Sequence, residues 1–384
     1  MTSKNAYITN ISSFLPNSPI SNDEMEDILG YVGGKPSRAR RIILRQNRIT
    51  TRYYVLDPKT REPVYSNAQL AAEAIKKLED DHFTLDRIEC LATATSLVEH
   101  LMPNHGVMVH GELKNPICEV LSTSGICLSG LTALKYAYMG IISGCYNNAV
   151  VSASEMLSPS LKAENYENEI ESKIANLEER PILAFEKDFL RWMLSDGAGA
   201  ALVEPNPRET GISLKIDWID LYSYANEIDT CMYCGADKDD DGSIKGWASF
   251  DQASRAARSL MAIKQDVKLL NENMSPLGFK SLRKTYAKHN ISSNDFDYFL
   301  PHVSSYYFKD EILNKFKESD MDIPEDKWFV NLDRVGNVGS ASLYLMIDEI
   351  VKTKDLQDGQ KLLCFVPESG RFSYGFMMLT VVKK

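Results

Sequence analysis

Apolar and polar positions along the first half of the chain predict strands that alternate with a helix. Short apolar runs predict a buried strand within 87–96, a strand that ends in a turn within 116–125, and a third strand within 147–155. Between the last two of these, the stretch 127–144 carries apolar residues at helical spacing, and Gly144 marks the end of the predicted helix. Strands that are joined by such helices are typical of an α/β fold.

The second half of the chain repeats this order. Its predicted elements are a strand within 296–304, a strand and turn within 327–336, a helix over 337–352 and a strand within 361–369. Three pairs of positions stand 210 residues apart: Ala92 and His302, Val120 and Val330, and Cys127 and Asn337. Each half then closes with a glycine-containing turn and a strand. We therefore predict an internal duplication of two α/β halves, 1–205 and 206–384.

Two segments have no counterpart in this repeat. The stretch 158–191 is rich in charged residues and predicts a polar helical insertion or lid. The stretch 236–246 contains the D-x-D-x-D-G opening of a calcium loop, but Ala248 stands where the bidentate glutamate is required. We therefore interpret 236–246 as a solvated acidic loop.

The composition narrows the class of protein. The 384 residues are 44% hydrophobic and 25% charged, as in ordinary globular domains, and no run approaches the roughly 18 consecutive apolar residues of a membrane span. A polar first segment and seven scattered cysteines predict a cytoplasmic protein with reduced thiols. The net charge of −10 argues against binding of nucleic acid.

Metal and dinucleotide sites are not predicted. Cys231 and Cys234 form a C-x-x-C pair without the second Cys or His pair that zinc requires. The glycine run at 197–199 leads into a strand, whereas a dinucleotide loop opens a helix. The sequence therefore predicts neither a metal nor a cofactor.

Three polar residues are candidates for the chemistry of the protein. Cys127 stands at a strand–turn–helix elbow, where the helix dipole stabilises a thiolate and free backbone N–H groups can bind an oxyanion. His302 ends a predicted buried strand, and Asn337 opens the second helix at the position that matches Cys127. An approximate twofold relation between the halves would bring all three residues together.

The chain resembles the β-ketoacyl-(acyl carrier protein) synthase III group of thiolase-fold enzymes. The segments that carry the resemblance span nearly the whole chain: 6–25, 91–104, 121–134, 194–204, 300–305, 336–342 and 369–375. The resemblance implies a five-layered α/β/α/β/α fold and a homodimer that is built on the edge of the first half's sheet.

The resemblance also implies roles for individual residues. Cys127 would be the nucleophile that accepts the acyl group, and His302 with Asn337 would donate hydrogen bonds to the thioester carbonyl of the second substrate. The N–H group of Gly370 would join that of Cys127 in the oxyanion hole. The implied reaction transfers an acyl group from CoA or an acyl carrier protein to Cys127 and then forms a carbon–carbon bond with a second thioester.

Three departures from the family pattern indicate a specialised relative. The family motif His-Gln-Ala-Asn reads His302-Val-Ser-Ser here, Arg371 replaces a glycine, and 158–191 lengthens the chain. Fatty-acid-derived or polyketide biosynthesis, for instance of dialkylresorcinol type, is therefore the expected setting. The alternative within the same fold is an acyltransferase that acts on oxygen or nitrogen.

Two further alternatives come from other classes. Cys, His and Asn follow one another in this order in papain-like hydrolases, but those need an aromatic residue just after the cysteine, and here Leu128 and Ser129 follow. A non-catalytic partner subunit of the same fold is the other alternative, and the presence of all three polar residues argues against it.

Two basic segments are candidates for docking an acidic carrier protein, because a chain of net negative charge needs a local cationic face to bind one. The residues are Arg38, Arg40, Arg41, Arg45, Arg48 and Arg52 in the first segment, and Lys309, Lys315 and Lys317 after His302. The alternative is that these side chains only solvate helix surfaces.

Overall fold

The computed structural model describes residues 5–37, 39–166, 190–239, 241–317 and 321–384. The described strands are β1 (Tyr7–Phe14), β2 (Ile20–Ser21), β3 (Thr51–Arg52), β4 (Cys90–Thr95), β5 (Glu119–Ser124), β6 (Ala149–Glu155), β7 (Gly197–Glu204), β8 (Ile212–Ser223), β9 (Met232–Tyr233), β10 (Ala236–Lys238), β11 (Ile244–Gly246), β12 (Lys264–Gln265), β13 (Tyr298–Pro301), β14 (Lys361–Glu368) and β15 (Ser373–Lys383). The described α-helices are α1 (Met25–Leu29), α2 (Arg40–Asn47), α3 (Asn67–Lys76), α4 (His105–Leu113), α5 (Ser129–Ser143), α6 (Gln252–Ala257), α7 (Val267–His289), α8 (Tyr306–Lys317), α9 (Leu332–Val335) and α10 (Ser342–Thr353).

The central sheet has nine strands in the order β13-β14-β15-β8-β1-β7-β6-β4-β5. The two halves of this order mirror each other. In the first half, β4 pairs in parallel with β5 and β6, and β6 pairs antiparallel with β7; in the second half, β13 pairs in parallel with β14, and β14 pairs antiparallel with β15. The halves are joined where β1 pairs with β8.

The strand and turn predicted within 327–336 are wrong in detail. Trp328 makes only an isolated parallel bridge to Phe299, and α9 follows at Leu332–Val335. The apolar run at this place packs by its rings instead: Trp328 lies edge-on to Phe299 and to Phe316, with centroids 4.9 and 6.0 Å apart. Aromatic packing therefore replaces the ladder that the apolar pattern predicted.

Five layers follow from the way the helices cover the sheet. Apolar residues of α5 and α10 share one core with both halves of the sheet, so these two helices lie between the halves. Helices α3 and α4 pack on the outer face of the first half, and α7 and α8 on that of the second. A Cβ atom on Gly130 of α5 would lie 2.2 Å from the carbonyl oxygen of Ser340, so only glycine permits this close approach. The predicted α/β/α/β/α arrangement is confirmed.

The central helices begin later than the sequence predicts. Helix α5 starts at Ser129, so Cys127 lies in the turn before it, and Gly144 ends the helix with φ 79°, as predicted. Helix α10 starts at Ser342 after a 3-10 turn at Gly339–Ala341, and Asn337 precedes that turn. Both candidate residues therefore belong to the turns that enter the helices.

The two segments outside the repeat are only partly as predicted. The described part of 158–191 forms 3-10 turns at Ser158–Leu161 and Ala163–Tyr166, and 167–189 lie outside the described residues. The stretch 236–246 is a hairpin of β10 and β11. Its Asp237 forms ion pairs with Arg258 and Lys264, which corrects the expectation of a merely solvated loop.

Within the described ranges, no helix combines the length and the hydropathy that a membrane span requires.

Candidate functional site

A cavity of about 640 Å³ lies where the turns before α5 and α10 meet. Cys127, His302, Asn337 and Gly370 all line it, so the structure brings the four candidate residues together. Most of its wall is apolar, from residues such as Leu97, Leu101, Leu157, Met193, Met232, Met261, Leu270, Met274, Phe308 and Ile312. Such a wall favours the binding of an apolar chain.

Cys127 is partly exposed to this cavity. Burial raises the pKa of its thiol well above the usual range, and the nearby carboxylates of Glu368 and Glu155 raise it further. The backbone N–H groups of Ile126 and Leu128, on either side of the cysteine, donate to Oε2 of Glu368 over 3.1 and 3.2 Å. The expectation that the helix end stabilises a thiolate is therefore opposed by a carboxylate at the same end.

His302 follows β13 and is 4% exposed. Its backbone N–H donates to the carbonyl of Phe365 over 2.7 Å, which fixes the residue to the neighbouring strand β14. Its Nε2 is buried and has no hydrogen-bond partner among the described residues. Burial lowers the pKa of the imidazole to about 4, so the ring is neutral near pH 7. A neutral ring with an unpartnered Nε2 can donate to a substrate oxygen.

Asn337 is held by the first half of the chain. Its backbone N–H donates to the carbonyl of Met193 over 2.9 Å, and its carbonyl accepts from the N–H of Ser195 over 2.9 Å. Its side-chain Oδ1 accepts from the N–H of Gly339 over 3.0 Å. This bond commits the amide oxygen, so the Nδ2 group is oriented as a donor.

Gly370 lies in the turn between β14 and β15. Its carbonyl accepts from the N–H groups of Cys231 and Met232 over 2.9 and 3.3 Å, which anchors the turn against the cavity wall. Phe372 adopts φ 55° in the same turn, a left-handed conformation that costs a bulky residue about 1–3 kcal/mol. The proposed oxyanion contact of the Gly370 N–H stays a prediction.

The two helices that carry candidate docking residues, α2 and α8, pack side by side, and Arg48 pairs with Asp310 of α8. Arg41 and Arg45 are exposed on α2. Arg40 pairs with Asp23, and Lys315 with Glu311 over 3.3 Å.

Two members of the basic segments do not fit a docking surface. Arg52 is fully buried, where it donates to Asn22 and to the carbonyl of Trp192, because β3 lies inside the protein. Lys309 is only 15% exposed and pairs with Glu325 over 3.0 Å. Arg38 lies outside the described residues.

The sequence analysis missed two acidic residues of the site, Glu155 and Glu368. Glu155 is fully buried at the end of β6 and binds Ser96 and Ser340. Each glutamate directly ends a buried strand that the analysis had identified. A charged residue at the carboxyl end of a buried strand was the signal that could have found them.

Comparisons with known proteins agree with this architecture. Residues 286–380 match the family described as 3-oxoacyl-[acyl-carrier-protein (ACP)] synthase III C terminal. The β-ketoacyl-[acyl-carrier-protein] synthase III of Xanthomonas campestris pv. campestris is 23% identical over 98% of this chain and 99% of its own length. That of Lactococcus lactis is 22% identical, with 98% of this chain and 99% of its own length covered.

Solved structures share the fold over the full length. AbyA1, described as a tetronic acid condensing enzyme, superimposes with a TM-score of 0.76 at 16% identity, covering 98% of this chain and 99% of its own. The 3-oxoacyl-[acyl-carrier-protein] synthase III of Aquifex aeolicus gives 0.68 at 18% identity with the same coverage. Xanthomonas campestris OleA, solved with lauric acid and lauroyl-CoA, gives 0.71 at 15%, again covering 98% and 99%.

Proposed function

We propose that this chain, which belongs to the β-ketoacyl-(acyl carrier protein) synthase III-like group of thiolase-superfamily condensing enzymes, joins two acyl thioesters through an acyl-Cys127 intermediate. The first acyl group arrives as a thioester of CoA or of an acyl carrier protein. The second thioester supplies the carbon nucleophile. The setting that we propose is fatty-acid-derived or polyketide biosynthesis, such as that of dialkylresorcinols.

The observation that carries this proposal is the convergence of Cys127, His302 and Asn337 on one largely apolar cavity. A nucleophilic thiol accepts the first acyl group as a thioester. The unpartnered Nε2 of His302 and the oriented amide of Asn337 then donate to the carbonyl oxygen of the second thioester and stabilise its enolate. The apolar wall holds the acyl chain, in keeping with the lauroyl ligands in the OleA structure.

Mass spectrometry of the intact protein tests the first half of the reaction. After incubation with a panel of acyl-CoA and acyl-carrier thioesters, we expect a single acyl adduct, and peptide mapping should place it on the segment that contains Cys127. An adduct that persists in Cys127→Ala would overturn the assignment. Analysis of the released product tests the second half, because an ester or an amide in place of a β-keto product would favour the oxygen- or nitrogen-acylating alternative.

The fold and the site also bear on the two remaining alternatives. The thiolase-type fold is that of condensing enzymes, which leaves no support for a papain-like hydrolase. All three polar side chains line the cavity, which favours an active enzyme over a non-catalytic subunit.

We further propose a homodimer that is formed at β5. This strand ends the nine-stranded sheet, and its side chains are only partly covered. Ile117 just before it is 99% exposed, and Leu101 and Met102 of a nearby cavity loop are 64% and 87% exposed. An uncovered edge strand with apolar neighbours favours pairing with a second copy. Light scattering should give twice the mass of the chain, and Ile117→Glu should shift it toward the monomer.

A further inference from the structure

Glu368 is the one ionisable side chain that touches the backbone on both sides of the nucleophile in the described structure. Its Oε2 accepts the N–H groups of Ile126 and Leu128, and Cys127 is the residue between them. Glu368 also lines the cavity. Its Oε1 has no hydrogen-bond partner within the described part of the chain. One carboxylate oxygen is therefore anchored at the elbow while the other is available for a proton.

Activation of Cys127 needs a proton acceptor. A thiol attacks a thioester as its thiolate, and the bonds to Glu368 occupy two N–H groups that would otherwise stabilise that charge. While Glu368 is ionised, its charge further opposes a thiolate beside it. Formation of the thiolate is therefore favoured only when a neighbouring group takes up the proton that the thiol releases.

The other groups around the thiol are poor acceptors. Burial lowers the pKa of His302 to about 4, so its imidazole binds a proton weakly. Both oxygens of Glu155 already accept hydrogen bonds: Oε1 accepts from the N–H and hydroxyl groups of Ser96 and Ser340, and Oε2 accepts from the N–H of Ser96 over 3.2 Å. Arg371, the cation nearest to Glu368 along the chain, donates a hydrogen bond from its Nε to the carbonyl of Ile228. Burial raises the pKa of Glu368, which brings its proton affinity closer to that of the thiol.

We propose that Glu368 is the catalytic base of the acylation step. The S–H bond of Cys127 breaks and its proton passes to the Glu368 carboxylate. The sulfur then attacks the thioester carbonyl, a new C–S bond forms, and the bond to the leaving thiol breaks. Glu368 returns the proton to the departing thiolate, which leaves as CoA or carrier thiol. This inference rests on the proposed acyl-Cys127 intermediate.

The test compares Glu368→Gln with the wild type in single-turnover acylation, followed by rapid quenching and intact mass measurement. We expect acylation to slow about 10²-fold, since general base catalysis contributes this order of rate. The wild-type rate should level off once Glu368 is ionised, whereas the variant rate should keep rising with pH. Formate should partly restore acylation to Glu368→Ala. Glu112→Gln, the same change on the exposed face of α4, is the matched control and should leave the rate unchanged.

A second readout does not depend on any acyl substrate. The pH profile of Cys127 alkylation by iodoacetamide reports the thiol pKa, and loss of the neighbouring charge in Glu368→Gln should shift this profile to lower pH. An unchanged alkylation profile, or an unchanged acylation rate, would overturn the inference. Equal losses in acylation and in condensation from preformed acyl-enzyme would also overturn it. Failure of every thioester to acylate the wild type would instead refute the proposed function, and the alkylation profile would still test the role of Glu368.

Discussion

The two halves of the molecule place a glutamate at the same point of the fold and use it differently. Strands β6 and β14 hold corresponding positions in the mirrored sheet, and they end at Glu155 and Glu368. Each carboxylate crosses to the other half. Glu368 binds N–H groups in the turn before α5, and Glu155 binds the N–H of Ser340 before α10. The mirrored sheet thus places two reciprocal carboxylate contacts in the turns before α5 and α10.

The two carboxylates differ in how many hydrogen bonds they already accept. Glu155 is fully buried, and its Oε1 accepts the N–H and hydroxyl groups of both Ser96 and Ser340. Gly339 turns beside it with φ 48°, and a Cβ atom there would lie 2.8 Å from Oε1. Within the described ranges, Glu368 accepts only two N–H groups, and its neighbour is a thiol instead of an asparagine amide. The carboxylate of Glu155 therefore links the two halves through both of its oxygens, whereas Glu368 keeps one oxygen for the proton transfer that we propose.

The largest expected effect is on formation of the acyl-enzyme, and it distinguishes Cys127 in the turn before α5 from Asn337 in the turn before α10. Cys127→Ala should abolish the acyl-enzyme, because the proposed intermediate forms on this thiol. Asn337→Ala should still form it, because the amide acts on the second substrate. Intact mass measurement with acyl-CoA distinguishes the two variants. Loss of acylation in both variants would contradict the separate roles of Cys127 in acylation and of Asn337 in binding the second substrate.

The next effect concerns the condensation step. His302→Ala, like Asn337→Ala, should lower product formation from preformed acyl-enzyme by about 10²–10³-fold, the loss expected when one donor to a developing oxyanion is removed. Single-turnover assays started from the isolated acyl-enzyme measure this step alone. A histidine variant in which acylation falls as far as condensation would show that the imidazole acts on the thiol, against the role that we give Glu368.

Much of this fold could be predicted from the sequence, because burial leaves a strong pattern. The strands β4, β5 and β6 and the helix that ends at Gly144 are visible as apolar periodicity. Cys127 and Asn337 were candidates because each stands where a predicted helix opens, and His302 because it ends a predicted strand. The strand expected within 327–336 was wrong because aromatic residues such as Trp328 have the same apolar signature whether they join a ladder or pack by their rings.

The parts of the site that the sequence analysis missed depend on contacts between the halves. Glu368 meets Ile126 across 242 positions, and Glu155 meets Ser340 across 185, so no local pattern links them. Local sequence also does not reveal whether a charged side chain is buried or exposed. Arg52 and Arg41 look alike in the sequence, yet one lies in the core and the other on the surface. Charge spacing alone does not reveal which side of a segment is buried.

The free energy of unfolding distinguishes the roles of Glu155 and Glu368. Glu155→Gln should lower the free energy of unfolding by about 1–3 kcal/mol, because the four bonds to Oε1 lose their ionised acceptor and the amide NH2 group faces the Ser96 N–H that Oε2 accepts. Glu368→Gln should cost clearly less, since its amide oxygen can still accept both N–H groups at the cavity edge. Urea unfolding of both variants measures the difference. Equal losses would mean that Glu368 is as structural as Glu155.

The smallest expected effect concerns the outer surface of α2 and α8. The inner face of α8 supplies Phe308 and Ile312 to the cavity. Arg41 and Arg45 are exposed on the outer surface of α2, so the double change to Glu should raise the KM for a carrier-bound acyl group by about 3–10-fold, because rim charges steer an acidic partner.

The KM for a short soluble thioester should stay the same in this variant, because that substrate needs no docking surface. The carrier-specific difference should shrink as salt screens the charges. Changing Lys59 and Lys354 to Glu, two exposed lysines outside α2 and α8, alters the net charge by the same amount and should leave both KM values unchanged. If this control raises the carrier KM equally, the effect comes from overall charge, and the α2–α8 surface is not the docking site.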